Sequence, residues 1–156
     1  MPRARRRPAL AGVSVTATRV ARVYRRAKPA GRPAPPPWLA GLSDADRAEF
    51  RDRGHRLLSM LLQQLEAEGA HPSLATMAKV AAAAAEFGSR AAALGASLSE
   101  TVEAFVRFRA AFVGELAVMA RRRRLDTREA TALLVEAEHA ADRLLVALMN
   151  GHSGEA

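Results

Sequence analysis

The chain has 156 residues, of which 49% are apolar, no cysteine and a formal charge of +8. That length supports one domain with a real core plus an appendage, and the missing cysteines exclude disulfides, thiolate metal sites and cysteine nucleophiles. The charge is unevenly placed: residues 1 to 35 hold ten cations and no acid, whereas residues 36 to 156 hold fourteen cations against sixteen acids, a net of −2.

The basic character therefore belongs to an arm, which argues against a broad basic face on the folded part. Only Lys28 and Lys79 among the 24 cations are lysines and alanine is abundant. This usage is that of a GC-rich coding sequence, which places arginine for lysine without selection for phosphate recognition. No segment approaches the roughly 20 apolar residues needed to span a bilayer. The N-terminus lacks a continuous apolar core and so does not read as a secretory signal. A cytoplasmic protein is the expectation, with an organellar transit peptide as the alternative for this arginine-rich, acid-free stretch.

Within the arm, Val20, Val23, Tyr24 and Ala27 recur at helical spacing among Arg19, Arg22, Arg25 and Arg26. That is a short basic amphipathic helix, disordered unless it docks, because so short a helix is unstable alone in water. Arg3, Arg5, Arg6, Arg7, Arg22, Arg25 and Arg26 are the candidate polyanion contacts. Five of the eight prolines fall within residues 29 to 37 and form a stiff linker of polyproline type. The expected division is a basic arm over 1–35 with a proline-rich linker to about 37, a helical domain over 38–152 and a tail over 153–156.

Four helical segments follow Trp38 and Leu39. Ser43 with Asp46 caps the first, which runs to about Glu68 and aligns Phe50, Gly54, Leu57, Leu58, Leu61 and Leu65. Pro72 suits the first turn of the second, whose stripe of Leu74, Met77, Ala81, Ala84, Ala91 and Leu94 is mostly alanine. Small side chains permit a close approach, expected against the third helix. Gly95 ends the second segment, and Ser97 with Glu100 has the spacing of a capping box at the start of the third.

The third segment carries Val102, Phe105, Val106, Phe108, Phe112, Val113, Leu116 and Met119, an arc of roughly 160° at 100° per residue. So wide an apolar face marks either the central helix or a dimer interface. Arg109 falls inside that arc, where a charge must pair or reach water; a carboxylate such as Glu136, a dimer contact or an anionic ligand are the candidate partners. Arg121 to Arg124 close the helix, and with a near-neutral domain they read as a solvated end that complements its dipole in preference to a phosphate contact. Asp126 with Glu129 repeats the capping box before the last segment, in which Ala130, Leu133, Leu134, Ala137, Ala141, Leu144 and Leu148 run to Asn150 and Gly151.

Four long helices with short connections predict an all-α fold, an up-and-down bundle or a globin-like variant of it. Asp52 with His55 and Glu136 with His139 have the carboxylate-x-x-His spacing of di-iron bundles. Their phase turns both histidines away from the apolar stripes, so no metal or cofactor is expected. His71, just before Pro72, is no better a haem ligand. No Gly-x-Ser-x-Gly or phosphate-cradling glycine loop occurs, and no enzyme activity is expected.

Phe87-Gly88-Ser89-Arg90-Ala91, Leu94-Gly95-Ala96-Ser97-Leu98-Ser99-Glu100, Ala104-Phe105 and Arg107-Phe108-Arg109 resemble the N-terminal helical domain of RsbR-type stressosome co-antagonists, a module also found in PucR-like bacterial regulators. Leu125-Asp126 with Glu129, and Ala141-Asp142 with Leu144-Leu145, fit the same pattern. The resemblance covers roughly residues 42 to 151, and its motifs are mainly structural. It implies a non-enzymatic regulatory input domain of stress-response signalling that forms a homodimer and passes a signal to a protein output partner. The chain departs from the pattern in carrying no output domain after the last helix. Phe105, Phe108, Arg109 and Phe112 are the candidate interaction or ligand residues. The alternative is a nucleic-acid-associated protein in which the arm supplies the affinity.

Overall fold

A computed structural model describes residues 37–66 and 74–154. It is all-α: α1 (Pro37–Ala40), α2 (Asp44–Glu66), α3 (Leu74–Ala93), α4 (Leu98–Arg122) and α5 (Thr127–Ser153). The arm and most of the linker, with all seven candidate polyanion contacts, lie outside the described residues, as do His71 and Pro72.

Local chemistry places the helix ends. Ser43 Oγ accepts from the Asp46 amide at 3.1 Å, and Ser97 and Asp126 each close a complete capping box with Glu100 and Glu129. Each box satisfies two amides that have no partner inside the helix. At the end of α3 the Ala96 amide donates to Ala91 O and the Gly95 amide to Ala92 O, with Gly95 at φ +90. This is a Schellman turn.

The α4 end repeats it, Leu125 donating to Ala120 O and Arg124 to Arg121 O. Here, however, an arginine takes the left-handed position, at φ 53. An L side chain there costs about 1 kcal/mol or more that glycine would not.

Ion pairs set the directions. Arg90 on α3 reaches Asp46 and Glu49 near the start of α2, so these two helices run antiparallel. Arg109 on α4 meets Glu138 and Asp142 on α5, and the short connection over 123–126 makes this pair antiparallel as well. The core joins Leu57, Leu58, Leu61, Leu62 and Leu65 of α2, Val80 and Ala84 of α3, Phe105, Phe112 and Leu116 of α4, and Ala137, Ala141, Leu144 and Leu148 of α5. Trp38 of α1 packs edge-on to Phe50, which packs against Phe87.

The alanine-rich helix α3 does pack closely on a neighbour, but the neighbour is α5 rather than the expected third segment, α4. The two run parallel: Met77 lies by Arg143, Ala85 by Gly151, and Gly88 by Leu148 and His152. A Cβ on Gly88 would fall on the Leu148 carbonyl oxygen and 3.0 Å from the His152 amide nitrogen; one on Gly151 would fall on the Ala85 carbonyl and 2.6 Å from its Cα. Backbone touches backbone along this seam. Gly151 is therefore a buried interior residue of α5 and not its end, which comes at Gly154 with φ 74. The central helix is α5, which packs on α2, α3 and α4 together.

Candidate interaction surface

The capping box at Ser97 launches α4, and the helix periodicity then divides its aromatic residues. Phe105 and Phe112 are buried in the core, while Phe108 is half-buried between them with ring centroids 5.9 and 6.1 Å away. Of the four candidate residues on this helix, Phe108 and Arg109 are those with solvent access.

Arg109 lies seven residues before Leu116 and so on nearly the same side of the helix. Its guanidinium bonds to Glu138 and, through Nη1, to Asp142 Oδ1 at 3.0 Å. The carboxylates are four residues apart and present adjacent acceptors to one planar fork. The sequence suggests a carboxylate of this helix such as Glu136, and the two that hold the guanidinium are Glu138 and Asp142. The Arg109 side chain keeps 29% of its surface and Asp142 keeps 58%, so the group is held at the surface and not buried in the core.

Around this ion-paired centre stand the large apolar side chains that, among the described residues, are left in water: Val106 at 50% exposure, Val135 at 46% and Val146 at 59%. Val135, Glu138, Asp142 and Val146 share one face of α5 at spacings of three and four. Val106 precedes Arg109 by one turn, which in the antiparallel pair places it level with the stretch from Asp142 to Val146. The outer side of the α4–α5 pair is thus an apolar strip with a charged centre.

A second polar group, not foreseen from the sequence, ties α2 to α3. Arg90 Nη2 lies 3.0 Å from both Asp46 Oδ1 and Glu49 Oε2, and Arg53 bridges Glu49 to Glu86 at 3.0 and 3.4 Å. Hydrogen bonds from Arg53 and then Arg90 hold the Glu49 carboxyl below its ordinary value. The acids lie 44 and 41 residues before Arg90, so no local spacing could have revealed the group.

His55 and His139 are exposed on the outer faces of their helices. Among the described residues no group of three or more His, Asp or Glu is placed to hold a metal ion. Between α3 and α5 a cavity of about 20 Å³, lined by Val80, Ala81, Ala140 and Leu144 among others, has room for one water and none for a ligand. No helix among the described residues is long and apolar enough to cross a membrane.

No family model, no curated protein and no solved structure matches the chain.

Proposed function

We propose that this protein is a non-enzymatic regulatory module of bacterial signalling, working in the cytoplasm as a homodimer that binds a protein output partner. The observation that carries the reading is the strip on the α4–α5 pair, with Val106, Val135 and Val146 in water around Arg109, Glu138 and Asp142. Apolar side chains around a fixed charge pattern suit a protein partner, since burial supplies affinity and the charges set register. A second copy fits because the centre carries both signs. Across a two-fold axis, each Asp142 has lone pairs free for the other copy's Arg109. The resemblance of the motifs between Phe87 and Arg109, and of those between Leu125 and Leu145, to RsbR-type input domains supports the same reading.

Light scattering behind size exclusion tests it. Val106→Asp with Val146→Asp should convert a dimer to a monomer without unfolding it. A wild-type monomer at micromolar concentration would remove the reading.

A second reading rests on the arm, whose ten cations and no acid suit a polyanion. Deleting residues 1 to 35 should then remove most of the binding to DNA or RNA, and binding left untouched by the deletion would end it.

A further inference from the structure

The α4–α5 turn concentrates positive charge in the folded part of the chain. Arg121, Arg122, Arg123 and Arg124 are consecutive, and Arg128 follows in the first turn of α5. Arg121, Arg122, Arg124 and Arg128 are exposed, and none of the four has a carboxylate partner among the described residues. The nearby acids Asp126 and Glu129 are engaged with each other's amides in the capping box at 2.8 and 3.2 Å.

One detail of the backbone separates this cluster from an ordinary solvated helix end. Arg124 is the one non-glycine residue with positive φ among the described residues. At the matching position of the α3 turn the chain uses Gly95, and beyond α5 it uses Gly154. Glycine would relieve the strain at 124. GC-rich coding does not explain its absence, because glycine codons are as GC-rich as those of arginine. Nor does the helix dipole, which Arg121 and Arg122 already complement in the last turn of α4. A strained position kept by a charged side chain points to a role for that side chain.

We propose that the α4–α5 turn is a phosphate-backbone contact for nucleic acid, formed by Arg121, Arg122, Arg124 and Arg128. Guanidinium forks match phosphate oxygens, and four of them on one turn can follow successive phosphates. Nucleic acid fits better than a membrane surface. Among the described residues the exposed large apolar side chains, Val106, Val135 and Val146, all lie outside the turn, which offers nothing of that kind to enter a bilayer. The site is separate from the dimer strip, so its failure would leave that reading standing.

The test uses the full chain and a labelled DNA duplex of about 20 base pairs, with anisotropy followed from about 50 to 200 mM salt. Replacing all four arginines by alanine should weaken binding about tenfold or more and flatten the salt dependence by about 0.9 in log–log slope for each phosphate no longer neutralised. Arg124→Gly should move two readouts in opposite senses. Its Tm should rise by about 3 °C as strain is relieved, while affinity falls and the slope flattens by the share of about one phosphate. Unchanged affinity and slope in the fourfold variant would overturn the proposal. So would an Arg124→Gly protein that gains stability and binds as before, or a fourfold variant that loses binding to vesicles containing phosphatidylserine while keeping binding to the duplex.

Discussion

Adding one methyl group at Gly88 tests the α3–α5 seam, because two opposed effects meet there and the geometry decides between them. In an exposed helix interior, Gly→Ala stabilises by about 0.8–1 kcal/mol through backbone entropy. Gly114 is such a site: it is exposed within α4 and a Cβ there meets nothing within 4 Å. At Gly88 the same Cβ would overlap the Leu148 carbonyl, whose carbon is only 2.9 Å away. Neither atom belongs to a flexible side chain that could swing aside. The helices must separate, which loosens Ala84, Ala137 and Ala141, all fully or almost fully buried. Overpacking of this kind costs typically 1–3 kcal/mol and more when backbone must move. Set against the propensity gain, the expected net loss is about 2 kcal/mol, or a fall in Tm of roughly 6–12 °C. Gly151→Ala should behave alike. The double variant should lose less than the sum, since a seam opened by one methyl accommodates the other. Thermal melts followed by circular dichroism read all four proteins. If Gly88→Ala gained stability as Gly114→Ala does, the close backbone approach would be refuted.

Two further outcomes follow from the ion pairs. Because Glu49 titrates lower in the folded protein than in the unfolded chain, its contribution is fully present above the unfolded value of about 4.3 and is lost as pH falls through the lower folded value. Arg90→Met should therefore shift the acid unfolding midpoint to higher pH, while an unmoved midpoint would mean that the pairs with Asp46 and Glu49 do not form in solution. For Arg109, a double-mutant cycle of Arg109→Met with Glu138→Gln should give a coupling of about 0.5–1 kcal/mol, as suits a pair that water still reaches; zero coupling in urea melts would show that the fork is not held.

The features read correctly from the residues are those whose causes lie within a few positions. Ser43, Ser97 and Asp126 start helices because their side chains bond amides three residues on, and Gly95 ends one because the left-handed turn is local. The apolar stripe of α2 was equally plain, being a matter of period. What escaped depends on which faces meet. Gly88 and Gly151 carried a signal, as glycines inside alanine-rich or apolar helical runs where each is unfavourable unless something packs closely, yet Gly151 also matched the pattern of a helix end. The stripe of α3 shifted toward Val80, Ala84, Gly88 and Ala91 because α5, not α4, lies against it. For Arg109 the helix bearing its partner was anticipated, but the residue differed by two positions, since register between antiparallel helices is set by core packing. Phe105 and Phe112 belonged to the wide arc of α4 that invited an interface, and they turned inward because α4 also lies on the core that α5 shares with α2.

The proposed function stands on the strip formed by Val106, Val135 and Val146 around Arg109, and the mass of the protein in solution tests it most directly. Light scattering at about 10 µM, well above the Kd of an ordinary stable dimer, should return twice the 16.7 kDa of one chain. The Val106→Asp, Val146→Asp variant should return that single mass with its helical melt retained. A wild-type protein with the mass of one chain, or a dimer indifferent to both substitutions, would contradict the assignment of this face as the working surface.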